Sequence, residues 1–276
     1  MSARGEMRSI ALSLTAVCAA GALVLGVTYV LTERAQRATE AAGEKNAITS
    51  LLDLQPGDRL VVIAQSYQPV RREVTYRAAA WEGAGATTRL TFDLDGRLVG
   101  REAAPAGDAM TKGSVALGRL FVAYRGPKLV GFVVDGTTQG YKNRVRFLVG
   151  LSDSCAITGV RVIEHEEDPG LGAEIARAWF GGQFIGHTAD ALPALTVTRD
   201  PMPEDWKAAL ERLDRVPAAR WQADEAPLVA RESAHPIYAV TGATISSRAL
   251  TDGVRSTVTH FRHRWALLAP ALEAAP

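Results

Sequence analysis

The chain has two cysteines, Cys18 and Cys155, in 276 residues, which leaves little room for disulfide or thiolate chemistry. One lies inside an apolar run and the other in the polar part, so they do not bridge, and both read as structural or incidental. Charge is equally uninformative: 31 basic against 30 acidic residues give +1. With no basic cluster, aromatic-basic interleaving or zinc spacing, nothing points to nucleic acid. A nucleophile elbow, zinc-protease helix, phosphate-binding P-loop and dinucleotide fingerprint are missing as well. What remains, 47% hydrophobic and 22% charged, is enough for one sizeable domain plus appendages.

Present instead is a charge-free run from Ser9 to Leu31, bracketed by Arg8 and Glu33. At about 23 residues it crosses a hydrocarbon layer of roughly 30 Å as a helix. A cleaved signal peptide is the rival, but the run exceeds the usual core of about 7–15 residues and no small-x-small site follows. Thr15-Ala16-Val17-Cys18 is a poor lipoprotein box, because Val17 is too large before a modified cysteine. The run reads as an uncleaved anchor. Arg4 and Arg8 before it and Arg34, Arg37 and Lys45 after it do not choose an orientation. Thr32 to Leu54 is polar and ends at Gln55-Pro56-Gly57, so a juxtamembrane helix is expected that spaces the domain or meets membrane subunits.

From Arg59 short β runs take over: Leu60–Ala64, Arg89–Asp93, Leu98–Glu102, Leu120–Tyr124, Lys128–Val134, Val145–Gly150 and Ile157–Ile163. Asp95-Gly96 marks a hairpin, and the alternation predicts an antiparallel sheet with one buried face. His165 to Gly172 reads as a loop shaped by Pro169, Gly170 and Gly172. Its lone His165 invites a metal, but no second histidine stands at ligand spacing. A helix with Ile175, Trp179 and Phe180 inward follows. Leu195–Arg199 is a further strand, and Trp206, Ala209, Leu210 and Leu213 form an amphipathic helix after Pro203. That helix and the alanine-rich Pro217–Ala230 belong to an insert of about 200–233, either a lid or a partner surface.

The chain is organised around Thr241-Gly242-Ala243-Thr244-Ile245-Ser246-Ser247. Leu250, Val254, Val258, Phe261 and Trp265 recur at helical spacing behind it, so a helix begins near Thr244. Its first turn offers open amides and a positive dipole end that favours a phosphate by about 0.3–1 kcal/mol. Gly242 lets the backbone bend and a ligand come close. The alternative is a plain N-cap, with Thr244 or Ser246 accepting from a nearby amide.

This segment resembles the Ser/Thr-Gly-Ala-Thr flavinylation motif of the FMN-binding domains found in the G subunit of the Rnf electron-transport complex and the C subunit of the sodium-pumping NADH:quinone reductase. Glu167-Asp168-Pro169-Gly170-Leu171-Gly172 resembles that family's second signature, usually Glu-Thr-Pro-Gly-Leu-Gly. Gly140-Tyr141-Lys142-Asn143 stands where its central hairpin usually has Gly-Tyr-Ser/Gly-Gly. Tyr238 departs from an aspartate usual three residues before the motif.

The resemblance implies an α+β fold: a single N-terminal transmembrane helix (residues 9–31) after a cytoplasmic tail (1–8), a juxtamembrane helix (32–55), and an FMN-binding domain (56–265) with a mainly antiparallel sheet and packed helices, then a C-terminal tail (266–276). It implies one FMN held covalently on Thr244 by a flavin transferase, with Thr241, Gly242, Ala243 and Ser246 around the attachment. The loop carrying Glu167, Asp168 and Leu171 is expected over the ring, where Asp168 adds negative charge that disfavours an anionic reduced flavin. Tyr141 either lines the pocket or belongs to the core, and Arg199 either partners the phosphate or ends a solvated strand. No catalytic residue and no metal is implied. The expected role is an electron carrier in the inner membrane, its domain periplasmic, acting with other subunits of a ferredoxin:NAD oxidoreductase that moves ions. Two alternatives stay open: a C-type subunit of a sodium-pumping reductase or other membrane redox chain, and an anchored binding or assembly module in which Tyr238 marks lost flavinylation.

Overall fold

The computed structural model describes residues 3–81, 87–104, 113–216 and 218–273 and divides into two units, Met1–Asn46 and Ala47–Pro276. The first unit is helical. Helix α1 runs unbroken over Ala3–Leu52, its residues from Ala47 on belonging to the second unit, so the apolar run and the polar segment after it are one element rather than two. Leu23, Val24, Leu25 and Tyr29 stand at least 62% open, and Cys18–Leu52 is long and apolar enough to cross a membrane.

The second unit is built on one eight-stranded antiparallel sheet: β1 (Arg59–Gln68), β2 (Glu73–Ala80), β3 (Thr87–Asp93), β4 (Leu98–Ala104), β5 (Val115–Arg125), β6 (Lys128–Gln139), β7 (Arg144–Ser152) and β8 (Ile157–Glu164), in the order β4-β3-β2-β1-β5-β6-β7-β8. The Asp95-Gly96 turn closes the β3–β4 hairpin, with Gly96 at φ 80°. Strand β2 was not anticipated.

The expectation of one buried face needs correction for the central strands. In β5, Leu120 and Val122 face one core while Phe121 and Ala123 face another; Phe132 and Val134 against Val133 in β6, and Phe147 and Val149 against Leu148 in β7, repeat the split. Both faces are therefore covered. One is closed by the last turn of α1, where Ile48, Leu51 and Leu52 are at most 6% exposed.

The other face carries α6 (Thr244–Glu273). A 3-10 turn (Gly172–Ala176) and α2 (Ala178–Gly182) follow β8, burying Ile175 and Phe180. Then come β9 (Val197–Thr198), α3 (Glu204–Glu211), α4 (Ala218–Asp224), α5 (Ala226–Glu232) and β10 (Ile237–Tyr238), which pairs in parallel with β9. The Pro217–Ala230 stretch, Pro217 itself lying outside the described residues, is thus two short helices that share a small core with α3 and Ile185: Trp206, Ala209, Leu210, Trp221 and Ile185 are all 6% exposed or less. Helix α6 continues through Ala266–Glu273, the stretch expected as a tail, because Leu268 and Ala271 still bury apolar surface against the sheet.

Candidate functional site

Two glycines decide how closely α6 approaches the sheet. A Cβ on Gly253 would stand 2.8 Å from Thr138 Cβ, and one on Gly136 would stand 2.6 Å from both Phe147 Cε2 and Thr257 Oγ1. Helix and strands touch backbone to side chain here, and Thr138 Oγ1 donates to the Ala249 carbonyl at 3.0 Å. The start of α6 is thereby fixed over the ends of β6 and β7.

The chain enters that helix through a tight turn. Ala243 N donates to Val240 O at 2.9 Å, and Gly242, third of the four residues, sits at φ 80°, a geometry only glycine adopts at no steric cost. Ser247 staples the turn from inside: its hydroxyl accepts from Val240 N at 3.0 Å and donates to Ala243 O at 2.9 Å. Among the described residues the amides of Thr244, Ile245 and Ser246 have no hydrogen-bond partner, and none involves the Thr244 hydroxyl. Neither Thr244 nor Ser246 acts as a cap, since the Ser246 hydroxyl is used elsewhere.

That hydroxyl donates to Glu167 Oε2. Glu167, 5% exposed, also accepts the Lys142 amide on Oε1 at 3.0 Å, and its own amide donates to His165 Nδ1 at 3.3 Å. A Cβ on Gly140 would meet Glu167 Oε1 at 2.4 Å, and one on Gly172 would meet Oε2 at 2.6 Å. The carboxylate is thus enclosed by two glycines and tied to neutral donors, joining the His165–Gly172 loop to the first turn of α6. Asp168 meets the Lys142 ammonium, which holds the lysine's pKa above its ordinary value.

Together these residues surround a cleft of about 360 Å³ lined by Tyr141, Glu167, Asp168, Leu171, Gly172, Arg199, Gly242, Ala243, Thr244, Ile245 and Ser246. Tyr141, Leu171 and Ile245 leave 63%, 49% and 59% of their surface open at its rim, an apolar edge above a polar floor. Arg199 is delivered by the β9–β10 pairing, in which Ala239 N donates to Thr198 O at 2.9 Å. Thr241 instead faces an adjoining cavity of about 580 Å³, which it lines with Arg199, Trp179, Met202, Lys207 and Tyr238. Of the residues singled out from the sequence, all but Thr241 share one cleft. Lys142, Gly140 and Ser247 were passed over as contributors; the quoted motifs contain them, but only the tertiary contacts show their work. Among the described residues no group of three or more histidine, cysteine or carboxylate side chains is placed to hold a metal.

Tyr238 has a structural occupation. Its hydroxyl donates to Glu232 Oε2 at 3.2 Å, Glu232 Oε1 accepts from Arg231 Nε at 2.7 Å, and Arg231 grips Asp205 with both terminal nitrogens at 2.9 and 3.0 Å. Gln183 brackets the Tyr238 backbone, accepting its amide at 2.8 Å and donating to its carbonyl at 3.3 Å. The insert is therefore anchored on the strand that leads into the Thr241–Ser247 turn.

An open hydroxyl, three free amides and a guanidinium beside an apolar rim suit a phosphate carried by a flat, largely apolar body. Residues 140–259 match the FMN-binding domain. The G subunit of the proton-translocating ferredoxin:NAD(+) oxidoreductase complex of Clostridium ljungdahlii is 29% identical over 138 residues, 50% of this chain and 57% of that protein. The G subunit of the Na(+)-translocating ferredoxin:NAD(+) oxidoreductase complex of Acetobacterium woodii is 30% identical over 140 residues, 50% and 53% of the two chains. The chain thus spans a little over half the length of these two curated relatives. The G subunit of the ion-translocating oxidoreductase complex of Methanosarcina acetivorans is 24% identical over 94% of this chain and 96% of its own. The crystal structure of NqrC from Shewanella oneidensis aligns with a TM-score of 0.47 at 14% identity, covering 86% of this chain and 100% of that one. By sequence, then, residues 140–259 match the FMN-binding domain and the chain is similar to the G subunits of ion-translocating oxidoreductase complexes.

Proposed function

We propose that the protein is a membrane-anchored flavoprotein electron carrier, the G subunit of an Rnf-type ferredoxin:NAD oxidoreductase, with one FMN attached through its phosphate to Thr244. The observation that carries this reading is the Thr244 hydroxyl, without a hydrogen-bond partner among the described residues at the first turn of α6 and walled by Tyr141, Asp168, Leu171 and Arg199. The flavin supplies the redox chemistry when bound; the polypeptide sets its place and potential. Open amides of the first turn and Arg199 hold the phosphate, while Leu171, Tyr141 and Ile245 shield one side of the ring from water. Glu167 keeps the His165–Gly172 loop on α6 without offering a free carboxylate to the ring. Covalent attachment suits a domain on the periplasmic side of the inner membrane, where lost cofactor is not replaced. The remaining subunits, and the transferase that makes the bond, are partners in this reading.

One observation favours a second reading, an anchored assembly module without flavin: Tyr238, where the resembling family usually has aspartate, is engaged with the insert. Co-expression with a flavin transferase separates the two. The denatured wild-type band fluoresces on a gel and the Thr244→Ala band does not; a dark wild-type band leaves the assembly module standing.

A further inference from the structure

Three adjacent carboxylates line or flank the cleft, and they are treated differently. Glu166 accepts from the Asn143 side-chain amide at 2.8 Å. Glu167 is buried and accepts a hydroxyl and a backbone amide. Asp168 alone of the three meets a cation among the described residues, the Lys142 ammonium, and Asp168 also lines the cleft beside Thr244. Their side chains stay 49% and 40% exposed for Lys142 and Asp168, so the pair contributes little to stability. The loops it joins are already held by the buried Glu167 contacts. What the pair does control is charge at the mouth of the cleft. A carboxylate there disfavours added electron density on a neighbouring ring, and a paired ammonium offsets it.

We infer that Lys142 and Asp168 form a charge-setting pair that tunes the reduction potential of the flavin held at Thr244. The inference rests on the flavin reading above. Lys142 is a positioning and tuning residue and Asp168 its partner; neither takes part in electron transfer by itself.

The test is a redox titration of the full-length, flavinylated protein in wild-type, Lys142→Gln, Asp168→Asn and doubly substituted forms. Lys142→Gln exposes the Asp168 charge and moves the potential negative; Asp168→Asn leaves the ammonium opposed by the lesser effect of Glu167 and moves it positive. A tenfold change in the preference for reduced over oxidised flavin reads as about 30 mV for a two-electron couple. The double variant returns close to wild type, and all shifts shrink at high salt. Lys142→Arg keeps the charge and the wild-type potential, even if Lys142→Gln folds poorly; a shift in Lys142→Arg as large as in Lys142→Gln overturns the inference. So do single variants that keep both flavin and wild-type potential. A wild-type protein without flavin overturns the parent reading instead, and the inference with it.

Discussion

The Ser246 hydroxyl donates to the Glu167 carboxylate across 79 positions of sequence, and both groups are buried, at 2% and 5% exposure. Removing the hydroxyl leaves a buried carboxylate short of a partner, which costs about 1–3 kcal/mol. Ser246→Ala is therefore expected to lower the urea midpoint by that free energy divided by the m-value and to loosen the His165–Gly172 loop, seen as faster amide exchange there. An unchanged midpoint would mean that water replaces the bond.

Gly140 and Gly172 enclose the same carboxylate. A methyl group at either would lie 2.4 or 2.6 Å from a Glu167 oxygen, so Gly140→Ala and Gly172→Ala each cost about 1–3 kcal/mol of overpacking. Thermal melts measure this. Since both press on one side chain, the two costs combine less than additively.

On the proposed reading, attachment at Thr244 requires a hydroxyl and little else of the side chain. Thr244→Ser keeps part of the flavin load and Thr244→Val keeps none, read as intact mass after co-expression with a transferase. A valine variant gaining the mass of one FMN would move the attachment to another residue, with Thr241 the next to test by peptide mapping.

His187 is 2% exposed, and its Nε2 has no partner among the described residues. Burial holds its pKa below the ordinary value, with a smaller opposing effect from the Gln183 backbone. The unfolded chain therefore takes up this proton first: the stability concerned is complete above about pH 6.5 and is lost as pH falls toward the folded-state value. Between about pH 7.5 and 5.5, the Tm of wild type is expected to fall more steeply than that of His187→Leu. Parallel slopes would remove His187 from the acid response.

Much of this was legible from the chain itself. The strands β5 to β8 stand out as short apolar runs between turn residues, and Leu250, Val254, Val258 and Phe261 at helical spacing are all at most 2% exposed. Strand β2 escaped because it ends in Ala78-Ala79-Ala80 and begins after a turn at Arg72 with φ 56°, where no Gly or Asn signals it. Double burial of β6 and β7 was hidden as well, since Leu52 lies against Gly131 and Leu51 against Gly150 from far away in the chain. At the site, the residue set was readable, but the inward turn of Glu167 was not: it depends on Gly140 and Ser246, distant in sequence and local only after folding.

The contact at Gly253 and Gly136 has one more consequence. With no side chain of its own to serve as a bearing at Gly253, α6 has nothing to roll on; Thr138 and Phe147 meet its backbone directly. Thr244 is thus mounted on a helix seated directly against the sheet rather than on a swinging arm. On the proposed reading, a redox group carried there would keep its distance from the sheet whether oxidised or reduced, and each electron would arrive and leave with little rearrangement of the surrounding protein.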